Sequence, residues 1–265
     1  MKSKLLFALT ILSTVAFTAH AQPTETYDPR SYVALGAGAA PDYSGSDDYE
    51  VIPFGAAQLA TEQAIYQLQG PALKVDVFGP ATNGKWVGGP VVKYGFGRDD
   101  VEDTAVDALP EIDDAVELGG YVGYRFQDVG AHNATLTAQI EGTADVAEGH
   151  EGYTIQPQLT YAWRPCLNWF WNVSASASFG DDNYVDTFYN IDANGAAASG
   201  LPQYNKGDAG LYQGTLSVGS QYNFNQNWGL FSQVAATQLV GDAADSPLVE
   251  NETGVRAGVA LSYSF

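Results

Sequence analysis

Apolar and polar residues alternate one by one along most of the chain after residue 30, and this period of two is typical of β-strands. From Val255 to Phe265 the odd positions are apolar or aromatic, whereas the even positions are arginine, glycine, alanine or serine. Residues 153–163 and 169–179 alternate in the same way. Such strands can contact lipid with one face and line a lumen with the other. The pattern therefore predicts an all-β fold, a transmembrane antiparallel up-and-down β-barrel.

Segments with this alternation recur along the chain, and none of them shows a sustained helical period. The predicted strands are residues 32–40, 50–59, 63–69, 72–78, 86–96, 116–126, 134–144, 153–163, 169–179, 211–222, 228–239 and 253–265. Single-chain bacterial barrels have an even number of strands. We therefore divide residues 63–78 at Gly70-Pro71 and expect about twelve strands, with ten as the alternative if one segment lies outside the barrel.

The connections between these segments alternate between short turns and long or acidic loops, as periplasmic turns and external loops do in outer-membrane barrels. All the tryptophans lie within about two residues of a short turn, where an indole ring can sit at the lipid headgroups. We expect the closing strand to place two further aromatic rings there. The predicted interface aromatics are Trp86, Trp163, Trp169, Trp171, Trp228, Tyr263 and Phe265.

The first residues of the chain have the features of a secretory signal peptide. Lys2 and Lys4 precede an apolar stretch at residues 5–17, and Ala-His-Ala ends at Ala21. We expect residues 1–21 to be cleaved, residues 22–30 to form a short periplasmic segment and residues 31–265 to form the barrel.

The charge composition excludes one class of partner. The chain has 31 acidic and 11 basic side chains, a formal net charge of −20. Nucleic acid is not an expected partner, because phosphate would be repelled. The single cysteine, Cys166, is expected to be a passive turn residue and leaves no disulfide.

One acidic segment, residues 98–117, is the strongest candidate for ligand binding outside the barrel wall. Such a density of carboxylates repels itself unless cations neutralise it. The sequence leaves two alternatives open: a solvated external loop, or a divalent-cation site or cation bridge to lipopolysaccharide. The candidate ligands are Asp99, Asp100, Asp103, Asp113 and Asp114. Further along the chain, the pattern Asp192-Ala-Asn194-Gly195 resembles part of a calcium loop. It lacks the earlier aspartate and the distal glutamate of such a loop, so we expect a turn.

A second group of charges is predicted to face the lumen, because arginine or lysine on the lipid face would cost roughly 2–4 kcal/mol at the bilayer midplane. This predicted lumen network consists of Lys93, Glu117, Arg125, Glu141, Glu252 and Arg256. Tyr121 and Phe170 are predicted to point inward as well. We expect these side chains to fill a narrow lumen; the alternative is a constriction that sets the selectivity of a small pore.

Enzymatic interpretations find little support in the sequence. His132 is expected in a short turn and His150 in an external loop, with no nucleophile motif and no orienting carboxylate held on a strand. No His and Cys set suits a metal ion. We expect no cofactor and no catalytic residue.

Two motifs resemble the MltA-interacting protein (MipA)/OmpV family of outer-membrane proteins. One is the stretch at residues 36–53, GAGAAPDYSGSDDYEVIP, and the other joins GRDD at residues 97–100 to LPEIDDAVELG at residues 109–119. The usual glycine of the closing-strand signature is replaced by Ala260. The resemblance implies a monomeric barrel in the outer membrane of a Gram-negative bacterium, in contact with lipid and lipopolysaccharide.

For one branch the same resemblance implies a scaffold that joins a lytic transglycosylase to a bifunctional penicillin-binding protein. Other branches are associated with adhesion, immunogenicity or osmotic response. The sequence therefore predicts a non-enzymatic peptidoglycan scaffold, with a small passive pore or a surface cation-binding, ligand-binding or adhesion protein as alternatives.

Overall fold

Twelve antiparallel strands form a closed barrel in which each strand pairs with its neighbours in the chain and β1 pairs with β12. A computed structural model describes residues 29–131 and 133–265. The predicted signal peptide, the cleavage after Ala21, most of the segment 22–30 and His132 lie outside the described residues. The strands are β1 (Tyr32–Pro41), β2 (Tyr49–Ala60), β3 (Ile65–Gln69), β4 (Ala72–Asp76), β5 (Trp86–Gly95), β6 (Ala115–Gln127), β7 (Thr135–Asp145), β8 (Tyr153–Cys166), β9 (Trp169–Gly180), β10 (Gly210–Asn223), β11 (Trp228–Leu239) and β12 (Thr253–Ser264).

The predicted fold class and the number of twelve strands are confirmed, and the alternative of ten strands is wrong. Most strand ends lie within two residues of the predicted ones. The end of β4 has a local cause: the Asp76 carboxylate accepts hydrogen bonds from the backbone N–H groups of Phe78, Gly79 and Gly88, which turns the chain early. At β8 the prediction of a turn residue is wrong, because Cys166 still pairs with Trp169 after a register shift.

The outer face of the barrel is apolar. Large hydrophobic side chains at alternate strand positions are exposed, among them Leu35 at 72% and Leu216 at 56%. Their neighbours along the strands, such as Ala34 and Thr215, are buried inside. An apolar surface that encircles a barrel is stable against hydrocarbon and not against water. The wall is therefore built to face lipid.

The two ends of the barrel differ. At the turn end, short connections join the strands at residues 61–64, 77–85, 128–134, 167–168 and 224–227. At the loop end, the connections at residues 96–114, 181–209 and 240–252 are long, whereas β3 and β4 are joined only by Gly70-Pro71.

Aromatic rings form a girdle at the turn end, as the tryptophan positions predict. Trp163 and Trp171 stack with ring centroids 6.3 Å apart, and Trp169 follows at 5.3 Å from Trp171. Trp86 makes an edge contact with Tyr124. The same end holds a third group, Trp228, Tyr263 and Phe265.

Three short helices lie in the loop-end connections: α1 (Thr104–Asp107), α2 (Asp182–Tyr189) and α3 (Ala193–Ser199). None of these helices was predicted, because none is long enough to show a sustained helical period. Each helix begins at an aspartate whose carboxylate accepts a hydrogen bond from a backbone N–H of the first turn, at Asp103, Asp181 and Asp192. The turn predicted at Asp192-Ala-Asn194-Gly195 is thus the start of α3. Within the described ranges, no helix is both long and apolar enough to cross a membrane.

Candidate functional site

An apolar layer, which we call the floor, lies inside the barrel toward the turn end. It consists of the buried residues Tyr32, Ala34, Phe54, Ala162, Phe170, Phe231 and Ala260. The rings of Phe54 and Phe231 stack with centroids 5.3 Å apart and so connect β2 with β11. Gly258 makes room for Phe54, since an added Cβ atom would lie 2.6 Å from that ring. The members come from β1, β2, β8, β9, β11 and β12, so the floor covers one half of the ring of twelve strands.

Above the floor lies a charge layer of three side chains, of which Lys74 and Glu141 are buried and Lys93 is partly buried. Glu141 of β7 forms ion pairs with Lys74 of β4 and with Lys93 of β5, the latter at 2.5 Å. The Lys74 ammonium also lies 5.4 Å from the centre of the Tyr121 ring. Charges inside the barrel are stable only when they are paired. The two ion pairs therefore link three strands, β4, β5 and β7.

Lys74 was not predicted, although the alternation that gave β4 puts Ala72, Lys74 and Asp76 on the inner face. The inward direction of Lys74 could therefore have been predicted from the sequence.

A third polar group connects the wall to the loops. The Thr143 hydroxyl donates to Glu117 at 2.5 Å, and the His150 ring nitrogen Nε2 lies 3.7 Å from the other Glu117 oxygen. His150 is 4% exposed, its Nδ1 accepts from the Gly152 backbone N–H, and its ring meets the edge of Tyr184. The expectation that His150 lacks a carboxylate held on a strand is therefore wrong.

The six charges predicted as one lumen network occupy separate levels. Glu117 and Arg125 are eight residues apart on β6, about 26 Å at roughly 3.3 Å per residue. Arg125 lies near the turn end, where it donates to the Gly84 carbonyl and to Thr137. Glu252 is exposed just before β12, where its carboxylate accepts from Gln238. Alternation fixes the side of the wall that a residue faces but not its height, so the single network is corrected to several levels.

The loop-end connections pack into one hydrophobic group, which we call the cap. Its buried members are Tyr43, Val106, Leu109, Tyr184, Val185, Tyr189, Ile191, Tyr204, Tyr212, Leu239, Ala243 and Leu248. Hydrogen bonds run from the Tyr43 hydroxyl to the Leu248 carbonyl and from Ser246 to the Tyr189 carbonyl. Burial in the cap raises the pKa of Tyr189 to about 12.

The acidic segment is part of this cap rather than an open loop. Val106 and Leu109 anchor it, and the backbones of Arg98 and Ile112 pair across its base. Asp103 caps α1, and Asp114 accepts from the Tyr94 hydroxyl and the Gly97 N–H.

The five aspartates predicted as cation ligands are not gathered into one group. Asp103 and Asp114 are already engaged in local hydrogen bonds. Asp99, Asp100 and Asp113 are exposed. Among residues 29–131 and 133–265, no three His, Cys, Asp or Glu side chains are grouped as a metal ion would require.

A cavity of about 120 Å³ lies at the loop end, between the cap and the inner wall. Its walls include cap tyrosines and the hairpin tip at Pro71. The charged side chains that line it are Asp42, Lys93, Arg98, Glu117 and Arg256. This cavity brings together three predicted lumen charges with two loop residues that the sequence did not connect to them.

Comparison with known proteins gives matches of three kinds. A family model described as MltA-interacting protein MipA matches residues 33–265. Proteins named MltA-interacting protein from Escherichia coli (strain K12) and Shigella flexneri are each 26% identical over 84 residues, which is 32% of this chain and 33% of the relative. This chain thus matches about a third of the length of those relatives.

Solved barrels share the general arrangement at low sequence identity. An outer membrane channel from Pseudomonas putida F1 is 12% identical with a TM-score of 0.46, covering 95% of this chain and 100% of that one. The Pseudomonas putida toluene transporter TodX is 9% identical with a TM-score of 0.41, covering 89% and 90%.

Proposed function

Since the chain belongs to the family of MltA-interacting protein MipA, we propose that this outer-membrane β-barrel is a non-enzymatic scaffold for peptidoglycan enzymes. The family match over residues 33–265 confirms the resemblance found in the motifs. The proposed partners are a lytic transglycosylase and a penicillin-binding protein, with lipid and lipopolysaccharide around the wall. The barrel is proposed to act as a monomer.

The observation that carries this proposal is the filled interior. The floor places aromatic rings inside one half of the barrel, and the charge layer adds Lys74, Lys93 and Glu141 on β4, β5 and β7 above it. A lumen occupied at two levels by packed and paired side chains favours a barrel used as an anchor over the alternative of a passive pore.

The turn end is the surface on which a periplasmic partner would bind. Short turns face the periplasm in outer-membrane barrels, and long loops face the exterior. Leu167 at the tip of one turn is 75% exposed, and Phe224 in another is 53% exposed. Exposed apolar side chains at turn tips offer anchor points to a protein partner.

Copurification tests the scaffold. Full-length protein in neutral detergent is used to capture a purified transglycosylase related to MltA and a bifunctional penicillin-binding protein. We expect saturable capture of at least one of them, reduced about tenfold or more by Leu167→Glu. The matched control is Val146→Glu, which adds the same charge at an exposed residue of the loop end. No capture by folded wild-type barrel, or equal loss in both variants, would contradict the proposal.

A further inference from the structure

The barrel wall is only half as high at β3 and β4 as it is on either side. β2 spans twelve residues, but only Ala56–Ala60 pair with β3. On the other side, β4 pairs with only three residues of β5, Val91–Lys93. Tyr49–Phe54 therefore have strand partners only in β1, along about 20 Å of strand. Above Gly70-Pro71 this leaves a notch between β2 and β5.

The cavity at the loop end extends to this notch. Pro71 and Ala72, at the tip of the β3–β4 hairpin, line it. So do both Lys93 and Tyr94. Successive residues of a strand face opposite sides of a sheet, and Tyr94 is 40% exposed on the outer face. The cavity therefore reaches the edge of the wall at the tip of this hairpin.

The notch opens toward hydrocarbon. Val51 on its β2 edge is 81% exposed. On the β5 edge Tyr94 contacts Phe96 ring to ring. Apolar and aromatic edges of this kind are compatible with an acyl chain lying in the notch.

The inner end of the cavity is lined by charges of both signs. Lys93, Arg98 and Arg256 line it with Asp42 and Glu117, and Lys93 is also paired with Glu141, so these six side chains carry no formal net charge in a chain of −20. One nitrogen of the Arg98 guanidinium donates to the Phe188 carbonyl. A guanidinium has further N–H donors, so Arg98 can bind an anion in the cavity.

We propose that the notch is a lateral portal through which a single-chain anionic amphiphile places its head group in the cavity. The cavity of about 120 Å³ has room for a carboxylate or phosphate head group. The head group lies near Arg98, the aromatic walls cover its first carbons, and the chain leaves through the notch into the bilayer. This inference does not depend on the scaffold function.

The experiment uses full-length protein in neutral nanodiscs with a long-chain fatty acid that carries a photoreactive diazirine at its chain end. We expect saturable labelling at residues 49–54 of β2 or at residues 94–96 of β5, mapped by mass spectrometry. Laurate and dodecyl phosphate are separate competitors and show which head group is preferred. The methyl ester of laurate, which has no charge, should compete at least about fivefold less well.

Two variants test the role of the charge. Arg98→Gln should weaken labelling about fivefold or more, whereas Lys85→Gln removes a charge from an exposed residue at the turn end and should not. Heat-modifiable gel mobility reports whether each variant is folded. Labelling confined to residues 181–209 would show entry from the loop end and overturn the portal. Equal competition by the methyl ester, no saturable labelling, or equal effects of the two variants would overturn the anionic site.

Discussion

Glu141 holds two lysine side chains inside the barrel, and each of the three residues is on a different strand. Lys74 and Glu141 are nearly inaccessible to solvent, at 3% and 2% of the side chain. The Lys74–Glu141 ion pair therefore cannot be exchanged for water without opening the wall. Because Glu141 pairs with both lysines, its substitution should lower the stability of the interior most.

Glu141→Gln should destabilise the barrel by about 3–5 kcal/mol, because the buried Lys74 ammonium and the partly buried Lys93 ammonium lose their carboxylate. The measurement is reversible urea unfolding of the protein in lipid vesicles, followed by tryptophan fluorescence. Glu111→Gln, at an exposed position, is the matched control and should change stability by less than about 0.5 kcal/mol. If the two variants unfold alike, the charge layer is not an energetic support.

Residue directions inside the wall follow from the sequence, but residue contacts do not. Alternation correctly places Tyr121 and Phe170 on the inner face. It gives no height, so it groups Arg125 with Glu117 although they lie far apart on β6. The position of His150 could not be predicted by alternation, because this residue is on a loop that has no period. The sequence therefore does not show that its ring lies beside Glu117 of β6.

At the level of elements, the loop-end helices give the cap its shape. α2 starts at Asp181, whose carboxylate accepts from the N–H groups of Tyr184 and Tyr153. One side chain thus joins the helix start to the first residue of β8. Helices of four to eight residues are too short to show a period, but their aspartate caps are visible in the sequence.

Asp181→Ala should lower the stability of α2 by about 1 kcal/mol, because the helix loses its N-cap. We expect faster amide exchange at residues 182–189 with unchanged exchange in the strands. Asp208→Ala, an exposed aspartate of the same connection, serves as the control. Unchanged exchange in α2 would mean that packing alone fixes this helix.

The cap should open at alkaline pH. Burial raises the pKa of Tyr189 from 10.0 to about 12, so the folded cap holds a proton that the unfolded chain releases more easily. The stabilisation of the folded cap that results from this raised pKa is complete below pH 10 and is lost as the pH rises toward about 12.

Absorbance at the tyrosinate band measures this titration. Tyr189→Phe should remove one of the late-titrating phenols while the earlier ones remain. Full ionisation of every tyrosine near pH 10 in the native barrel would contradict a closed cap.

At the scale of the whole molecule, the strands close the wall, the floor and charge layer occupy the lumen, and the cap covers the loop end. The strand count followed from periodicity because every strand must alternate between lipid and lumen. The half-height hairpin was also present in the sequence as two short segments at Gly70-Pro71. The cavity and the notch could not be predicted, because they depend on which loops meet above that hairpin.

The central claim is that the interior is filled, and planar-bilayer conductance of the purified wild-type barrel tests it most directly. A general porin inserted under the same conditions confirms that the membrane reports channels. Because the floor and the charge layer occupy the lumen, we predict insertion without steady single-channel currents in concentrated KCl. Reproducible steady currents from folded protein free of porin would contradict the filled interior and the anchor function derived from it.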